Sequence, residues 1–268
     1  MSGKFNNKVI LITGGARGIG KKIAKKFTEE GSNVIICDID KDQSEKTKLE
    51  FDKEGLRVNF ICMDLSNKGA PQGMIRQIIK DFGKLDVLVN NARSGERVGF
   101  WEETDDTWDK GIAVTLKAAF FASQEAIRAM SQNREGSIVN IGSIASSLVC
   151  HESPVYHAAK AGLMHLTRYL AVHGGTYGVR VNAVLPGFIV QDEHVERYER
   201  ADNEEYRKTA EFCHPIRKVG CSDDIAEAVL FLCSTAASFI TGQCIIVDGG
   251  LTIQDPSSLL SSFDKKMC

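Results

Sequence analysis

The chain has 268 residues, of which 43% are hydrophobic, and a formal net charge of −2. This near balance of charge gives no basic surface for nucleic acid, and no apolar run approaches the roughly 18 residues that a membrane-spanning helix needs, so we expect a cytoplasmic protein without a membrane partner. The eight cysteines form no Cys-x-x-Cys pair and the six histidines no His-x-x-x-His pair, so no metal site is expected.

A glycine-rich loop follows the first apolar run of the chain. Residues 9–13 have the pattern of a buried strand, Gly14, Gly18 and Gly20 break the run, and residues 21–30 form an amphipathic helical stretch. Glycines let the backbone approach a pyrophosphate closely, and the free N–H groups at a helix start attract its charge. The pattern predicts a strand, a tight turn and a helix, with a dinucleotide bound at the turn.

The next apolar run, residues 33–37, ends directly at Asp38. An acid about 20 residues past the glycines accepts hydrogen bonds from the ribose hydroxyls of an adenosine, and its charge repels a 2′-phosphate. Asp38 therefore predicts NAD rather than NADP. Arg17 leaves an alternative open, because a cation inside the loop could bind that phosphate; otherwise Arg17 is simply an exposed side chain.

Strand and helix patterns alternate along the chain. The strands are predicted at residues 8–13, 33–38, 57–63, 85–90, 136–142, 179–185 and 244–248. The alternation is typical of an α/β protein, here a single domain over 1–268 with a Rossmann-like, doubly wound parallel sheet and helices on both faces. Ligands of such folds bind beyond the carboxyl ends of the strands.

Tyr156 and Lys160 lie four residues apart, with Ser143 thirteen residues upstream. On a helix this spacing places the phenol and the ammonium on one face. Lowering the pKa of a tyrosine from ~10 to ~7 takes roughly 4 kcal/mol, which a close lysine could largely supply. The three side chains predict an acid/base site in which Ser143 holds the substrate oxygen. The alternative is a solvated lysine beside a half-buried tyrosine.

These motifs resemble the short-chain dehydrogenase/reductase family over residues 8–250. The segment 13–20 fits its TGxxxGxG loop, 90–92 the start of its NNAG segment, and 247–250 its closing strand motif. The resemblance implies that Ser143, Tyr156 and Lys160 are catalytic. It implies that the cofactor is bound by Gly14, Arg17, Gly18, Ile19, Gly20, Asp38, Asp64, Leu65, Asn91, Tyr156, Lys160 and Ile189.

Three positions depart from the family pattern. Arg93 replaces a glycine, Gln191 replaces a threonine that touches the nicotinamide amide, and Thr115 replaces an asparagine that bends a central helix and holds a proton-relay water. A threonine hydroxyl can bond a water or a backbone carbonyl. We therefore expect a catalytic Thr115 with a slower or rewired relay; the alternative is a residue that only packs the helix.

Three segments are expected to face the substrate: 93–101, 144–155 with His151, and 188–215, a candidate lid. The lid is charged, which favours a small polar substrate over a steroid or a long acyl chain. Arg93 and His151 are candidate substrate residues. Arg93 could bind a substrate anion, or it could pair with Glu96, Glu152 or the cofactor phosphates.

The leading hypothesis is an NAD-dependent oxidoreductase that interconverts a secondary alcohol and a ketone on a sugar, polyol or hydroxy acid. The alternatives are a biosynthetic reductase, such as a 3-oxoacyl reductase, and a catalytically silent dinucleotide sensor. Two apolar stretches rich in small residues, 108–130 and 157–172, resemble the helices by which family members form dimers and tetramers, so we expect a homo-oligomer such as a homotetramer. The tail, 251–268, either frays or docks across a subunit contact.

Overall fold

A computed structural model describes residues 3–94 and 97–260. Each of the seven strands expected from the sequence is present, with its ends within two residues of the predicted ones. The strands of this sheet are β1 (Val9–Thr13), β2 (Asn33–Asp38), β3 (Val58–Cys62), β4 (Val87–Asn90), β5 (Gly136–Ile141), β6 (Val179–Pro186) and β9 (Cys244–Val247). A short parallel pair, β7 (Ile189–Val190) with β8 (Gly220–Cys221), was not expected.

All neighbouring strands of the large sheet are parallel, in the order β3-β2-β1-β4-β5-β6-β9. The strand order reverses between β1 and β4, and ligand crevices of doubly wound sheets form at that switch point. The predicted α/β class and the parallel sheet are therefore confirmed.

Helices cover both faces of the sheet. The longer helices are α1 (Gly18–Glu29), α2 (Lys41–Lys53), α3 (Ala70–Phe82), α4 (Asp105–Ile112), α5 (Ala118–Met130), α6 (Pro154–Gly175), α8 (Glu204–Cys213) and α9 (Ser222–Cys233). Alternate residues of β1 divide between two apolar cores: Val9 and Leu11 pack with α3, α5 and α6, whereas Ile10 and Ile12 pack with α1, α2 and α9. This period-two alternation fixes the sheet between two helical layers.

The central helix is continuous from α4 to α5 but changes its winding on the way. Between them, Ala113–Lys117 forms a π-helix with Thr115 near its middle. One turn earlier, Gly111 lies against Val155 so closely that a Cβ there would approach Val155 Cγ2 to 2.6 Å. The altered turn is therefore packed against the start of α6, where Tyr156 lies. π-Turns inside α-helices occur frequently at functional sites.

The segment after β6 is largely helical, with α7 (Val195–Glu199) and α8 separated by a short 3₁₀ turn. Its charged residues 192–197 are exposed, as expected for an outer face. None of the helices in the described part of the chain combines the length and apolar character needed to cross a bilayer.

Candidate active site

The glycine-rich loop docks on the end of β4. Gly14 has φ +62°, and a Cβ there would lie 2.8 Å from Ala92 Cα. Asn91 Nδ2 donates to the carbonyls of Thr13 and Gly14, at 3.0 and 2.6 Å. Only glycine combines this left-handed conformation with so close a backbone contact.

The N-terminus of α1 has the features of a phosphate cradle. Its N-cap residue Arg17 is exposed and makes no side-chain capping bond, and no acid lies in the first turn. The first N–H groups of a helix then remain available to an anion. Gly18 has φ +55°, and a Cβ there would overlap the side chain of Gln191. Glycine is therefore the residue that fits this side of the loop as well. These residues fit a pyrophosphate.

Asp38 lies at the end of β2, beside the glycine loop. Its carboxylate accepts the backbone N–H of Ala16 at 3.0 Å and that of Asp40 at 3.1 Å. Both bonds come from backbone, so the position of the carboxylate is set by the fold. Arg17, the cation that could have opposed it, points to solvent.

Asp64, Leu65 and Ile189 complete the expected cofactor side. Asp64 accepts two hydrogen bonds from Ser66, at 2.8 Å from the backbone nitrogen and 2.7 Å from the hydroxyl, and these bonds lower the pKa of its carboxyl. Leu65 is buried, and Ile189 packs against the apolar core beside α1. All three lie just beyond strand ends, at the same edge as the glycine loop.

Ser143, Tyr156 and Lys160 meet beyond the end of β5. Ser143 N-caps a short 3₁₀ turn, and its hydroxyl interacts with that of Tyr156. Lys160 is 2% exposed, its Nζ donates to the carbonyl of Ile141 at 2.5 Å, and it lies 5.6 Å from the Tyr156 ring centroid. The structure therefore brings together the three side chains that the spacing in the sequence selected.

The charge state of this group differs from the expectation. Burial raises the pKa of Tyr156, although the Ser143 hydroxyl and the Arg93 cation oppose this effect, so the structure does not show the lowering that the sequence analysis expected. Burial, with a contribution from Arg93, lowers the pKa of Lys160 to about 7. Both pKa shifts have one cause, because removal from water disfavours the phenolate of Tyr156 and the ammonium of Lys160. A lysine that is only partly protonated at neutral pH stabilises a phenolate less.

Thr115 is 3% exposed, and its hydroxyl accepts the backbone N–H of Ser94 at 3.4 Å. This contact joins the π-turn of the central helix to the loop after β4. Thr115 is therefore more than a packing residue between helices.

Two contacts join the loops that frame the mouth of the site. Arg97 Nη2 lies 2.7 Å from Glu152 Oε1, and the backbone N–H of Val155 donates to Glu103 Oε2 at 3.2 Å. His151 is exposed, and the structure gives it no hydrogen bond or ion pair with another described residue, so the structure does not bring this candidate into the cluster.

Arg93 lies over the ring of Tyr156. Its Cζ is 5.6 Å from the Tyr156 ring centroid, and its Nη1 donates to the carbonyl of Ser94 at 3.1 Å. Glu152, one of the partners considered for Arg93, pairs with Arg97 instead. Glu96, the other acidic candidate, lies outside the described residues.

The candidate lid is tied to the cofactor side. Lys22 of α1 binds Asp192 of the lid at 2.8 Å and Asp223 of α9 at 3.2 Å. An aromatic cluster surrounds Phe188, formed by the buried His214, the half-buried Tyr198 and the exposed Tyr206. The sequence indicated the polar face but not this aromatic cluster.

A buried polar chain beneath the site was missed by sequence reasoning. Asn90 Nδ2 donates to Ser123 at 3.0 Å and to Asn140 at 2.8 Å, and Asn140 Nδ2 donates to Thr167 at 2.9 Å. These bonds hold β4 and β5 against α5 and α6. Arg93 follows β4 along the chain, and Tyr156 lies in α6. Four polar residues in otherwise apolar segments were the available signal.

Comparison with known proteins decides the family. The family model described as enoyl-(acyl carrier protein) reductase, of the short-chain dehydrogenase type, matches residues 14–252. The chain belongs to the short-chain dehydrogenase/reductase family. It is 39% identical to a (2S)-[(R)-hydroxy(phenyl)methyl]succinyl-CoA dehydrogenase subunit of Thauera aromatica, over 93% of this chain and 98% of that protein.

Other family members differ in their named activities. A 3-oxoacyl-[acyl-carrier-protein] reductase of Chlamydia muridarum is 34% identical, over 94% of this chain and all of that protein. Among solved structures, the ligand-free aldohexose dehydrogenase of Thermoplasma acidophilum superposes with a TM-score of 0.82 at 32% identity, covering 96% of this chain and 98% of that one. Membership establishes an oxidoreductase of a family that uses nicotinamide dinucleotides.

Proposed function

We propose that the protein is an NAD-dependent oxidoreductase that interconverts a secondary alcohol and a ketone on a small polar substrate. The observation that carries this proposal is the meeting of Ser143, Tyr156 and Lys160 at the edge of the sheet that also holds the glycine cradle. A proton-transfer group beside a dinucleotide site is what alcohol oxidation requires.

In this proposal, Tyr156 accepts the hydroxyl proton of the substrate and Ser143 holds the substrate oxygen. Lys160 binds the nicotinamide ribose and adds positive charge below the phenol. NAD, when bound, supplies the hydride acceptor and a positively charged ring. Because burial raises the pKa of Tyr156 in the ligand-free protein, the neighbouring cations must offset that effect before the tyrosine is a base near neutral pH.

The preference for NAD over NADP rests on Asp38. Its carboxylate is fixed by two backbone N–H groups at the end of β2, where the adenosine ribose would lie. A 2′-phosphate there would meet a negative charge, and the Arg17 side chain is exposed to solvent.

Residues 188–215 are proposed as a lid over the substrate. The ion pair of Lys22 with Asp192 anchors its first residues to α1, and Lys22 also binds Asp223 of α9, whereas α7 and α8 carry the charged outer face. Closing segments of this kind shield a reaction from water. The named substrate of the aldohexose dehydrogenase supports a sugar-like ligand.

A 3-oxoacyl reductase is the second candidate, favoured by the named activity of the Chlamydia relative and by the aromatic cluster of the lid. The two functions differ in substrate polarity. A panel of sugars, polyols and hydroxy acids with NAD, and of 3-oxoacyl thioesters with NADH, separates them.

The test of the mechanism is the same panel with Tyr156→Phe, followed by NADH absorbance. Turnover should fall by roughly 10²–10⁴-fold while cofactor affinity changes little, because only the hydroxyl transfers the proton. The exposed Tyr177→Phe is the matched control and should retain wild-type turnover. Retained turnover in Tyr156→Phe would refute the mechanism, and cofactor binding without turnover across the panel would favour a dinucleotide sensor.

We also propose that the protein is a homo-oligomer. An open apolar groove of about 520 Å³ lies between the central helix and α6, lined by Leu116, Phe120, Leu166 and Tyr169 among others. Gly162 permits the close approach of these helices, since a Cβ there would lie 2.9 Å from Leu116. Tyr169→Glu should reduce the mass measured by light scattering, whereas Tyr177→Glu should not; a monomeric wild type at micromolar concentration contradicts the proposal.

A further inference from the structure

Two opposite charges flank the reacting tyrosine, and they come from different loops. Arg93, half-buried after β4, lies 5.6 Å from the Tyr156 ring centroid, and Glu152 lies four residues before Tyr156 in the loop that leads to α6. The two charges shift the pKa values of Tyr156 and Lys160 in opposite directions. The Arg93 guanidinium is therefore close enough to the Tyr156 ring to touch a small substrate held there, and Glu152 stands at the entry to the helix that carries Tyr156.

Arg93 has hydrogen-bonding capacity to spare. A guanidinium carries five N–H donors, and the structure gives Arg93 one acceptor, the carbonyl of Ser94. Within residues 3–94 and 97–260, no carboxylate lies at ion-pair distance from Arg93, because Glu152 is held by Arg97. A half-buried guanidinium with free donors favours a carboxylate, which it can bind through two parallel hydrogen bonds.

Glu152 has the complementary capacity. Its Oε1 is bound by Arg97 at 2.7 Å, whereas its Oε2 is buried and has no hydrogen-bond partner among the described residues. The Glu152 side chain is only 16% exposed, so water satisfies it poorly. A buried acceptor without a donor is unfavourable, and a donor that arrives with a ligand removes that penalty.

We propose that Arg93 and Glu152 select a carboxylic acid that bears at least one hydroxyl besides the one that reacts. Arg93 binds the carboxylate, and Glu152 Oε2 accepts a hydrogen bond from the second hydroxyl while Tyr156 takes the proton of the first. This inference rests on the proposed function and narrows its substrate class to a polyhydroxylated acid.

The test measures equilibrium binding of three probes to the full-length enzyme–NADH complex by NADH fluorescence. Gluconate carries both features, sorbitol lacks the carboxylate, and 3-hydroxybutyrate lacks the second hydroxyl. Gluconate should bind about 10-fold more tightly than either, the size expected when one good polar contact is missing. Arg93→Gln should remove the preference for gluconate over sorbitol, and Glu152→Gln the preference for gluconate over 3-hydroxybutyrate.

Two further variants separate recognition from structure. Arg128→Gln removes an exposed ion pair on α5 and should leave all three affinities unchanged. Arg97→Gln breaks the bond between the two loops but keeps the free oxygen of Glu152, so it should preserve most of the preference. If Arg97→Gln reproduces the effect of Glu152→Gln, Glu152 only holds the loops together and its recognition role is overturned.

Failure of gluconate to bind more tightly than both other probes overturns the substrate class, as does a preference that survives Arg93→Gln. Either result leaves the proposed function standing if another alcohol is oxidised in a Tyr156-dependent manner. Loss of Tyr156 dependence would instead refute the proposed function itself. The two failures are therefore distinguishable in one set of variants.

Discussion

The proposed cofactor edge (residues 13–20 with Asp38) and the proposed substrate mouth (the loops joined by Arg97 and Glu152) lie side by side at the carboxyl ends of the strands. Different interactions hold the two regions in place. At the cofactor edge, backbone geometry sets the positions: Gly14 contacts Ala92, and the N–H of Ala16 fixes Asp38. At the mouth, the ion pair between Arg97 and Glu152 joins two loops through long side chains, one of them 63% exposed. Exposed ion pairs contribute only about 0–1 kcal/mol.

This difference implies a rigid cofactor site beside an adaptable substrate site. Backbone hydrogen bonds and close glycine contacts tolerate few substitutions, whereas charged side chains on loops can change without disturbing the sheet. None of the three departures from the family pattern lies in the segment 13–20. Arg93 lies over the Tyr156 ring and Thr115 contacts the loop after β4, whereas Gln191 lies against Gly18 of the glycine-rich loop.

The largest loss of NADH affinity is expected when the close backbone contact at Gly14 is disrupted. Gly14→Ala forces a left-handed alanine, which costs about 1–2 kcal/mol, and also drives its Cβ into Ala92. NADH affinity should fall by roughly 100-fold or more, since the loop must move away from the pyrophosphate. Fluorescence titration of NADH measures the loss.

Gly55→Ala is the matched control for this prediction. Gly55 has φ +74°, but a Cβ there would have no other atom within 4 Å, so the substitution brings the same backbone strain without the collision. Equal NADH affinity in the two variants would show that close backbone approach is not what Gly14 provides.

The next effect is expected at Asp38. Asp38→Ala removes a charged acceptor of the ribose hydroxyls, a loss of about 1.5–3 kcal/mol or roughly 10- to 100-fold in NAD affinity. It also removes the repulsion of a 2′-phosphate, so discrimination against NADP should relax. The ratio of kcat/KM values for the two cofactors measures this, with the exposed Asp42→Ala as control. An unchanged ratio would mean that another residue selects the cofactor.

The sequence predicted the backbone geometry of the glycine-rich edge for a physical reason. Glycines and an acid at the end of a strand act through local backbone geometry, which a single stretch of sequence contains. Asp38, Gly14 and Asn91 therefore lie where the motifs placed them. The strand boundaries were predictable in the same way, because buried parallel strands form continuous apolar runs.

The ion pair between the two loops of the mouth and the direction of the Tyr156 pKa shift were less predictable. The partner of Glu152 depends on how two distant loops meet; the sequence analysis considered Arg93, whereas the structure pairs Glu152 with Arg97. The direction of the Tyr156 pKa depends on burial, which spacing does not reveal. The π-turn at Thr115 lies next to the close contact between the central helix and α6, which the local sequence does not reveal.

Lys160 lies where the two regions meet, and its burial predicts an effect on stability. The folded protein releases this proton at a pKa of about 7, whereas the unfolded chain keeps it up to about 10.5. Because the unfolded state binds more protons between these values, stability should rise with pH there, by roughly 2 kcal/mol from pH 7 to 9. Lys160→Met should remove this rise, which urea unfolding at both pH values measures.

The exposed Lys48→Met controls for the loss of a positive charge and should keep the wild-type pH dependence. A rise that persists in Lys160→Met would assign it to other groups. Lys160→Met should also lose turnover, because an uncharged side chain neither binds the ribose nor stabilises the phenolate of Tyr156.

The smallest effect is expected at Thr115, on the substrate side of the comparison. Thr115→Val keeps the shape of the side chain but leaves the N–H of Ser94 without its acceptor and gives a relay water no hydroxyl to bind. Turnover should fall by about 10-fold, less than the full contribution of an acid/base group, while NADH affinity stays unchanged. Thr115→Asn, which restores the residue usual in the family, should recover turnover if the position serves a water. If valine and asparagine both leave kcat at the wild-type value, Thr115 serves only to hold Ser94, and proton exchange between Tyr156 and solvent must follow another route.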